Sequence, residues 1–284
     1  MATRSVVLGI LTNILLAGIK FTAGFLGNSY ALIADAIEST TDIFSSFLVW
    51  LGIRYSTKPP DKNHPYGHGR AEALITFVIV IFLVLASLTI AYQSIINIQT
   101  PHAVPKPYTL IVLVIVVAFK EVMYRVTLKR GKKVKSSALK AEAWHHRSDA
   151  ITSVLAFLGI SVALLFGEGY EIADDIAALL ASVFILYNAY RIFRPALGEI
   201  MDEHTHHEME SDIRQIAEKV PGVENTEKFF IRKVGMVFYI DLHVRVDANK
   251  TVAEGHEIAH QCKAAIKDEF SEIGDVMIHI EPAS

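Results

Sequence analysis

The chain has 284 residues, 52% of them hydrophobic, with a mean hydropathy of +0.36 and a formal net charge of −3. A soluble domain of this length rarely averages so apolar, and with no cluster of basic and aromatic residues the sequence gives no sign of nucleic-acid binding. The single cysteine, Cys262, excludes an internal disulfide and a cysteine-rich zinc module.

A membrane crossing takes about 20 mostly apolar residues. Six runs qualify, at roughly 5–26, 30–56, 70–97, 107–129, 138–166 and 173–194. The first begins directly after Arg4 and is expected to be a permanent span. Arg54, Lys58, Lys62 and Arg70 surround the second connection. Lys129, Arg130, Lys132, Lys133 and Lys135 fill the fourth, and Arg191 and Arg194 follow the sixth run. The other connections hold Lys106 and little else. By the positive-inside rule both termini are expected in the cytoplasm.

From about residue 200 the pattern changes to helix (206–219), strand (226–233), strand (237–246), helix (253–270) and strand (275–281). Phe238, Ile240 and Leu242 alternate with Tyr239, Asp241 and His243, and Val234-Gly235 marks a hairpin. The expected fold is an all-α six-helix transmembrane bundle over 1–199, followed by a cytoplasmic α+β domain over 200–284. The αββαβ order of that domain is ferredoxin-like, or metallochaperone-like. So small a domain gains stability from a dimer partner or a bound metal.

Two of the spans carry ionisable residues. The second contains Asp35, Glu38 and Asp42; Glu38 and Asp42 are four apart and share a helical face, with Asp35 near it. The fifth contains His145 and Asp149, again one turn apart. A carboxylate at mid-membrane costs about 2.5–3.5 kcal/mol on insertion scales, and neighbouring carboxylates repel. A divalent cation removes both penalties. Three oxygens and one imidazole nitrogen make a tetrahedral set suited to Zn²⁺. Asp35, close to the outer end, is also compatible with a position facing water. His146 points off the face of His145 and is read as a neighbour. Lys120 and Glu121 are read as a local pair with no role.

The run Ser29-Tyr-Ala-Leu-Ile-Ala-Asp-Ala-Ile-Glu-Ser-Thr-Thr-Asp42, the loop Tyr66-Gly-His-Gly-Arg-Ala-Glu72 and the run His145-His-Arg-Ser-Asp149 resemble the cation diffusion facilitator family. The resemblance covers nearly the whole chain. It implies a homodimeric divalent-metal/proton antiporter of the bacterial zinc and ferrous-iron efflux type, in the inner membrane. The transport site then falls on Glu38, Asp42, His145 and Asp149. The first position is usually Asp or His in the family, so Glu38 is a departure that can shift preference toward Fe²⁺ or Mn²⁺.

Two more constellations follow. Asp61, His64 and His68 can converge on one ion from a tight turn, and the resemblance implies a loop metal site there; the alternative is that His68 and Gly69 only shape the turn. In the C-terminal domain His243, His256, His279 and Glu281 match a regulatory metal site between domain and dimer partner. Glu227 stands where another histidine is common, and His260 is a possible substitute. The segment Glu203-His-Thr-His-His-Glu208, just past the membrane, can catch metal at the cytoplasmic mouth, but is read first as a solvated linker.

The expected function is export of a divalent ion, Zn²⁺ first, with Fe²⁺, Mn²⁺, Co²⁺ or Cd²⁺ as alternatives. Metal and protons compete for the same groups, since an imidazole ordinarily titrates near pH 6.5. Helix rocking gives alternating access, and Zn²⁺ in the C-terminal domain acts as a regulator. The rival readings are a metal sensor without transport and a membrane metalloenzyme.

Overall fold

The computed structural model describes residues 2–100, 103–133, 137–167, 169–204 and 206–283, without the side chains of 2–12, 45, 46, 49, 53, 130, 131, 137–142 and 145. Lys135 of the basic connection and the side chain of His145 therefore lie outside the described residues. The long helices are α1 (Ala2–Leu26), α2 (Tyr30–Ser56), α3 (Ala71–Gln99), α4 (Tyr108–Lys133), α5 (Ser137–Phe166) and α6 (Ile172–Ile200). Among the described residues, α3, the 146–166 stretch of α5, and α6 are long and apolar enough to cross a membrane. In α2 and α4 the apolar run is interrupted by the charged residues taken up below. The chain divides into two compact units, 1–48 with 78–192, and 49–77 with 193–284.

In the first unit, large apolar side chains such as Phe25, Leu85, Ile111, Leu158 and Leu180 are exposed, while many buried positions are small: Ala31, Ala34, Ala36, Ala156, Ala163, Ala177 and Ala178. Lipid is as apolar as leucine, so helices in a bilayer associate by close backbone packing rather than by hiding oil from water. Gly159 shows how close that packing is. A β-carbon there would lie 2.5 Å from Ala177 Cβ and 2.7 Å from the Ala173 carbonyl oxygen. At the start of α2 the orphan amides are satisfied from another helix: Asp174, in the first turn of α6, accepts from Tyr30 N at 2.6 Å, Ala31 N at 3.3 Å and Ser29 Oγ at 2.7 Å. A carboxylate at a helix N-terminus meets both the unpaired N–H groups and the positive end of the dipole.

In the second unit, the C-terminal part follows the order α7 (His207–Glu218), β1 (Asn225–Val234), β2 (Val237–Asp247), α8 (Val252–Glu269) and β3 (Ile273–Ala283). The sheet order is β1-β2-β3, with β1 antiparallel and β3 parallel to β2. Period-two alternation puts Ile240, Leu242, Val244 and Val246 in one core with Ile213 and Ala217 of α7 and Ile258, Cys262 and Ile266 of α8. Each such buried Ile, Leu or Val contributes about 1.5–3 kcal/mol relative to exposure. His243 and Arg245, at the intervening positions, face away from that core. A capping box starts α8: Glu254 N donates to Thr251 Oγ1 at 3.3 Å, and Thr251 N to Glu254 Oε2 at 2.7 Å.

The loop between α2 and α3 meets the β1–β2 turn backbone to backbone. A β-carbon on Gly69 would lie 2.6 Å from the Val234 carbonyl oxygen, and one on Gly235 would lie 3.0 Å from the Gly69 carbonyl oxygen. Gly235 has φ +63°, and its N–H donates to Glu199 Oε1 at 2.7 Å. Next to Gly69, the Arg70 guanidinium donates to the Ile200 carbonyl at 3.0 Å and to Asp202 Oδ1 at 2.8 Å.

Candidate metal centres

In the first unit α2 presents Asp35 and Glu38, both buried, and Asp42, partly so; α5 presents Asp149, buried. Asp35, Asp42 and Asp149 all lie within electrostatic range of Glu38. Glu38 Oε2 is buried with no hydrogen-bond partner among the described residues. Two lysines enter the same region. Lys120 Nζ of α4 meets Asp149 Oδ2 at 2.7 Å. Lys20 Nζ of α1 meets Asp35 Oδ2 at 2.7 Å and also donates to Ser39 Oγ at 3.0 Å. Ser153 Oγ of α5 lies 2.9 Å from both oxygens of Asp35.

Lys120 is thus not the local partner of Glu121. Neighbours i and i+1 point to different faces of a helix, and Glu121 instead accepts from Arg125 Nε, four residues on, at 2.7 Å. Neither lysine was found from the sequence as part of this region, because each partner sits on another helix. The carboxylates of α2 and α5 share one region but do not form a ligand set closed to within 4.8 Å among the described residues.

In the second unit, Asp61, His64 and His68 do close to within 4.8 Å. Asp61 Oδ1 lies 3.1 Å from His64 Nδ1, and Asp61 Oδ2 lies 3.4 Å from His68 Nε2. Backbone N–H groups of His64 and Asn63 donate to Asp61 Oδ1 at 2.8 and 2.9 Å. The His64 donation in particular holds the Asp61 carboxyl below its ordinary range. An Asx-type turn therefore fixes the carboxylate beneath both rings, and His68 is itself buried.

On the sheet, His243 and His279 are register partners on β2 and β3, with ring centroids 4.7 Å apart. Together with Glu281 their ligand atoms also close to within 4.8 Å. Glu281 Oε1 is 2.6 Å from His243 Nδ1, and this hydrogen bond lowers the Glu281 carboxyl to about 2. Glu227 lies alongside, tied to Arg245 at 2.8 Å. The structure does not bring His256 to this set. His256 and His260 project from exposed positions on α8, and their Nε2 atoms are 3.1 Å apart. A third cluster, His204, His207 and Glu210, lies where the sequence reads as a linker.

Residues 6–201 match the model of the cation efflux transmembrane domain, and 205–283 that of the cation efflux protein cytoplasmic domain. The latter is a domain type associated with dimerisation. The chain is 30% identical to the manganese efflux system protein MneP of Bacillus subtilis (strain 168) over 97% of its own length and 94% of the relative's. With MneS of the same organism it is 32% identical, over 95% of this chain and 91% of that one. With the magnetosome protein MamB of Magnetospirillum gryphiswaldense it is 28% identical, over 93% and 88%. The two Bacillus relatives are manganese efflux proteins, not enzymes, and the covered lengths leave no large part of either chain unmatched. The chain is an integral membrane protein and belongs to the cation diffusion facilitator family, whose members carry divalent metal cations out of the cytoplasm.

Proposed function

We propose that this protein exports one divalent transition-metal ion from the cytoplasm in exchange for protons, through a six-helix membrane domain over 1–199, with 200–284 as a cytoplasmic dimerisation and regulatory domain. The observation that carries this reading is the charge content of the region around Glu38. Asp35, Asp42 and Asp149 gather around Glu38, whose Oε2 is buried without a hydrogen-bond partner among the described residues. Outside water, carboxylates gathered this closely are expensive, so the region favours a divalent ion or protons.

Glu38, Asp42, His145 and Asp149 are the proposed ligands. Ligands must be deprotonated to bind metal, so uptake of the ion releases protons and acidification on the far side displaces the ion. Exchange then follows from one site seeing the two sides in turn. The carboxylate-rich surroundings favour a hard ion, and Mn²⁺ accepts oxygen donors more readily than the tetrahedral nitrogen and sulfur sets that suit Zn²⁺. The manganese efflux relatives support the same preference. We therefore place Mn²⁺ ahead of the Zn²⁺ expected from sequence; Zn²⁺ remains the second reading, through the imidazole of His145. Both termini in the cytoplasm and a bacterial inner-membrane location complete the proposal. The Asp61–His64–His68 and His243–His279–Glu281 clusters are read as accessory metal sites.

Purified protein in proteoliposomes with an imposed pH gradient tests this directly. Metal flux that follows the gradient, favours Mn²⁺ in competition with Zn²⁺, and vanishes in Asp149→Ala is the expected result. Undiminished flux in Asp149→Ala would remove that residue from the transport site.

A further inference from the structure

At the junction of α6 and α7 lies a set of metal-type side chains separate from the groups assigned to transport. His204 lies in the connecting segment, and His207 and Glu210 lie one turn apart at the start of α7. Their ligand atoms fall within 4.8 Å of one another. The rings of His204 and His207 stack with centroids 4.9 Å apart and planes 23° apart. His204 Nε2 is 3.1 Å from Glu210 Oε2, yet this buried nitrogen makes no hydrogen bond among the described residues. The two atoms approach each other without the direction a hydrogen bond needs. Ligands around one ion behave this way: at bond lengths of about 2.0–2.1 Å, tetrahedral donors sit about 3.4 Å apart and aim at a common centre.

The surrounding charges sharpen the assignment. Two neighbouring carboxylates are committed to guanidinium groups: Asp202 to Arg70 at 2.8 Å, and Glu203 to Arg194 at 2.5 and 2.6 Å. Glu210 is divided. Its Oε1 takes Arg214 Nε at 2.9 Å and Nη2 at 2.7 Å, while its Oε2 faces His204. Arg214 thereby fixes the carboxylate plane, as outer partners do for ligating carboxylates. Glu208 and Glu210 also offset the positive end of α7 that would otherwise repel a cation. His204 lines a cavity of about 250 Å³ with Asp202, Phe230, Ile231, Arg232 and Asp241, which gives an ion an approach.

We propose that His204, His207 and Glu210 form a further divalent-metal site that pins the connecting segment to the first turn of α7. Two imidazoles and one carboxylate select a borderline ion of the Zn²⁺, Co²⁺ or Ni²⁺ kind over Mn²⁺. The fourth position belongs to water.

The test uses full-length, detergent-solubilised, metal-stripped protein in equilibrium dialysis against Zn²⁺, with bound ion counted by elemental analysis and Co²⁺ absorption as a second readout. The wild type is expected to hold one ion per chain more than His204→Ala/His207→Ala, with the Co²⁺ ligand-field band reduced in the double variant. Arg214→Gln should weaken the same site by about 10-fold. His207 is exposed, so His207→Ala alone keeps the test available if the double variant does not fold. Equal Zn²⁺ stoichiometry and affinity in the wild type and His207→Ala would overturn the site. Metal flux does not enter this comparison, so its result and that of the transport experiment stand apart.

Discussion

Lys120 and Asp149 meet at 2.7 Å with both side chains almost fully buried. An ammonium group on α4 thus holds a carboxylate on α5 that is also a proposed cargo ligand, and metal and lysine compete for one partner. Breaking a buried pair from one side leaves the other charge unpaired, at about 3–5 kcal/mol. Lys120→Gln is therefore expected to lower the melting temperature of the metal-free protein. Saturating Mn²⁺ should recover more stability in the variant than in the wild type. Thermal melting of detergent-solubilised protein with and without Mn²⁺ measures both effects.

Asp35 is held differently. Lys20 and Ser153 both engage its carboxylate, which is the pattern of a structural ion pair. The double variant Lys20→Met/Asp35→Asn removes both charges together, so its stability cost is smaller than that of either single change. Metal binding at the transport site should survive the double variant, whereas Asp149→Asn should bind one ion fewer per chain. Isothermal titration of the three proteins separates a ligand role for Asp35 from a scaffolding one.

The sheet cluster yields a regulatory prediction. His243→Ala/His279→Ala removes two of three converging ligands but touches only side chains facing away from the domain core. Folding should be retained, whereas the rise of transport with cytosolic metal should flatten. A variant whose transport still responds to cytosolic metal as the wild type does would rule out the regulatory role. The coupling exists only if the bound ion favours one conformation of the transporter.

The Thr251–Glu254 box carries both a mutational and a pH signature. Thr251→Ala removes the cap and is expected to cost about 0.5–2 kcal/mol. The hydrogen bond from the Thr251 N–H holds the Glu254 carboxyl below its ordinary value of 4.5. Because the folded value is the lower one, the stabilisation is fully present above pH 4.5 and is lost as pH falls through the depressed value. Glu254→Gln, which removes the titrating carboxyl, should abolish this acid sensitivity, as followed by circular dichroism between pH 6 and pH about 3.

Periodicity made the helices and strands legible because burial repeats along the chain. The run from Phe238 to Leu242 shows its buried face in its letters, and the two-residue turn at Gly235-Met236 lies one position beyond the expected Val234-Gly235 hairpin. Ligand clusters within one loop or on neighbouring strands were equally legible, as with Asp61, His64 and His68. Lys20, Lys120 and Glu210 were not. Each finds its partner across a helix packing or a chain turn, and no spacing rule in one dimension encodes that. His256 is read for a site between the domain and a dimer partner, and within one chain it projects from α8 apart from the strand face that bears His243.

The contact of Gly69 with Val234 and Gly235 has a mechanical consequence. Side chains between two moving parts act as cushions, since rotamers absorb small displacements before the backbone responds. Here main chain rests on main chain, so the joint has almost no play. A tilt of the β1–β2 hairpin would be passed nearly undamped to the residue after His68, and so to the loop carrying three metal-type side chains.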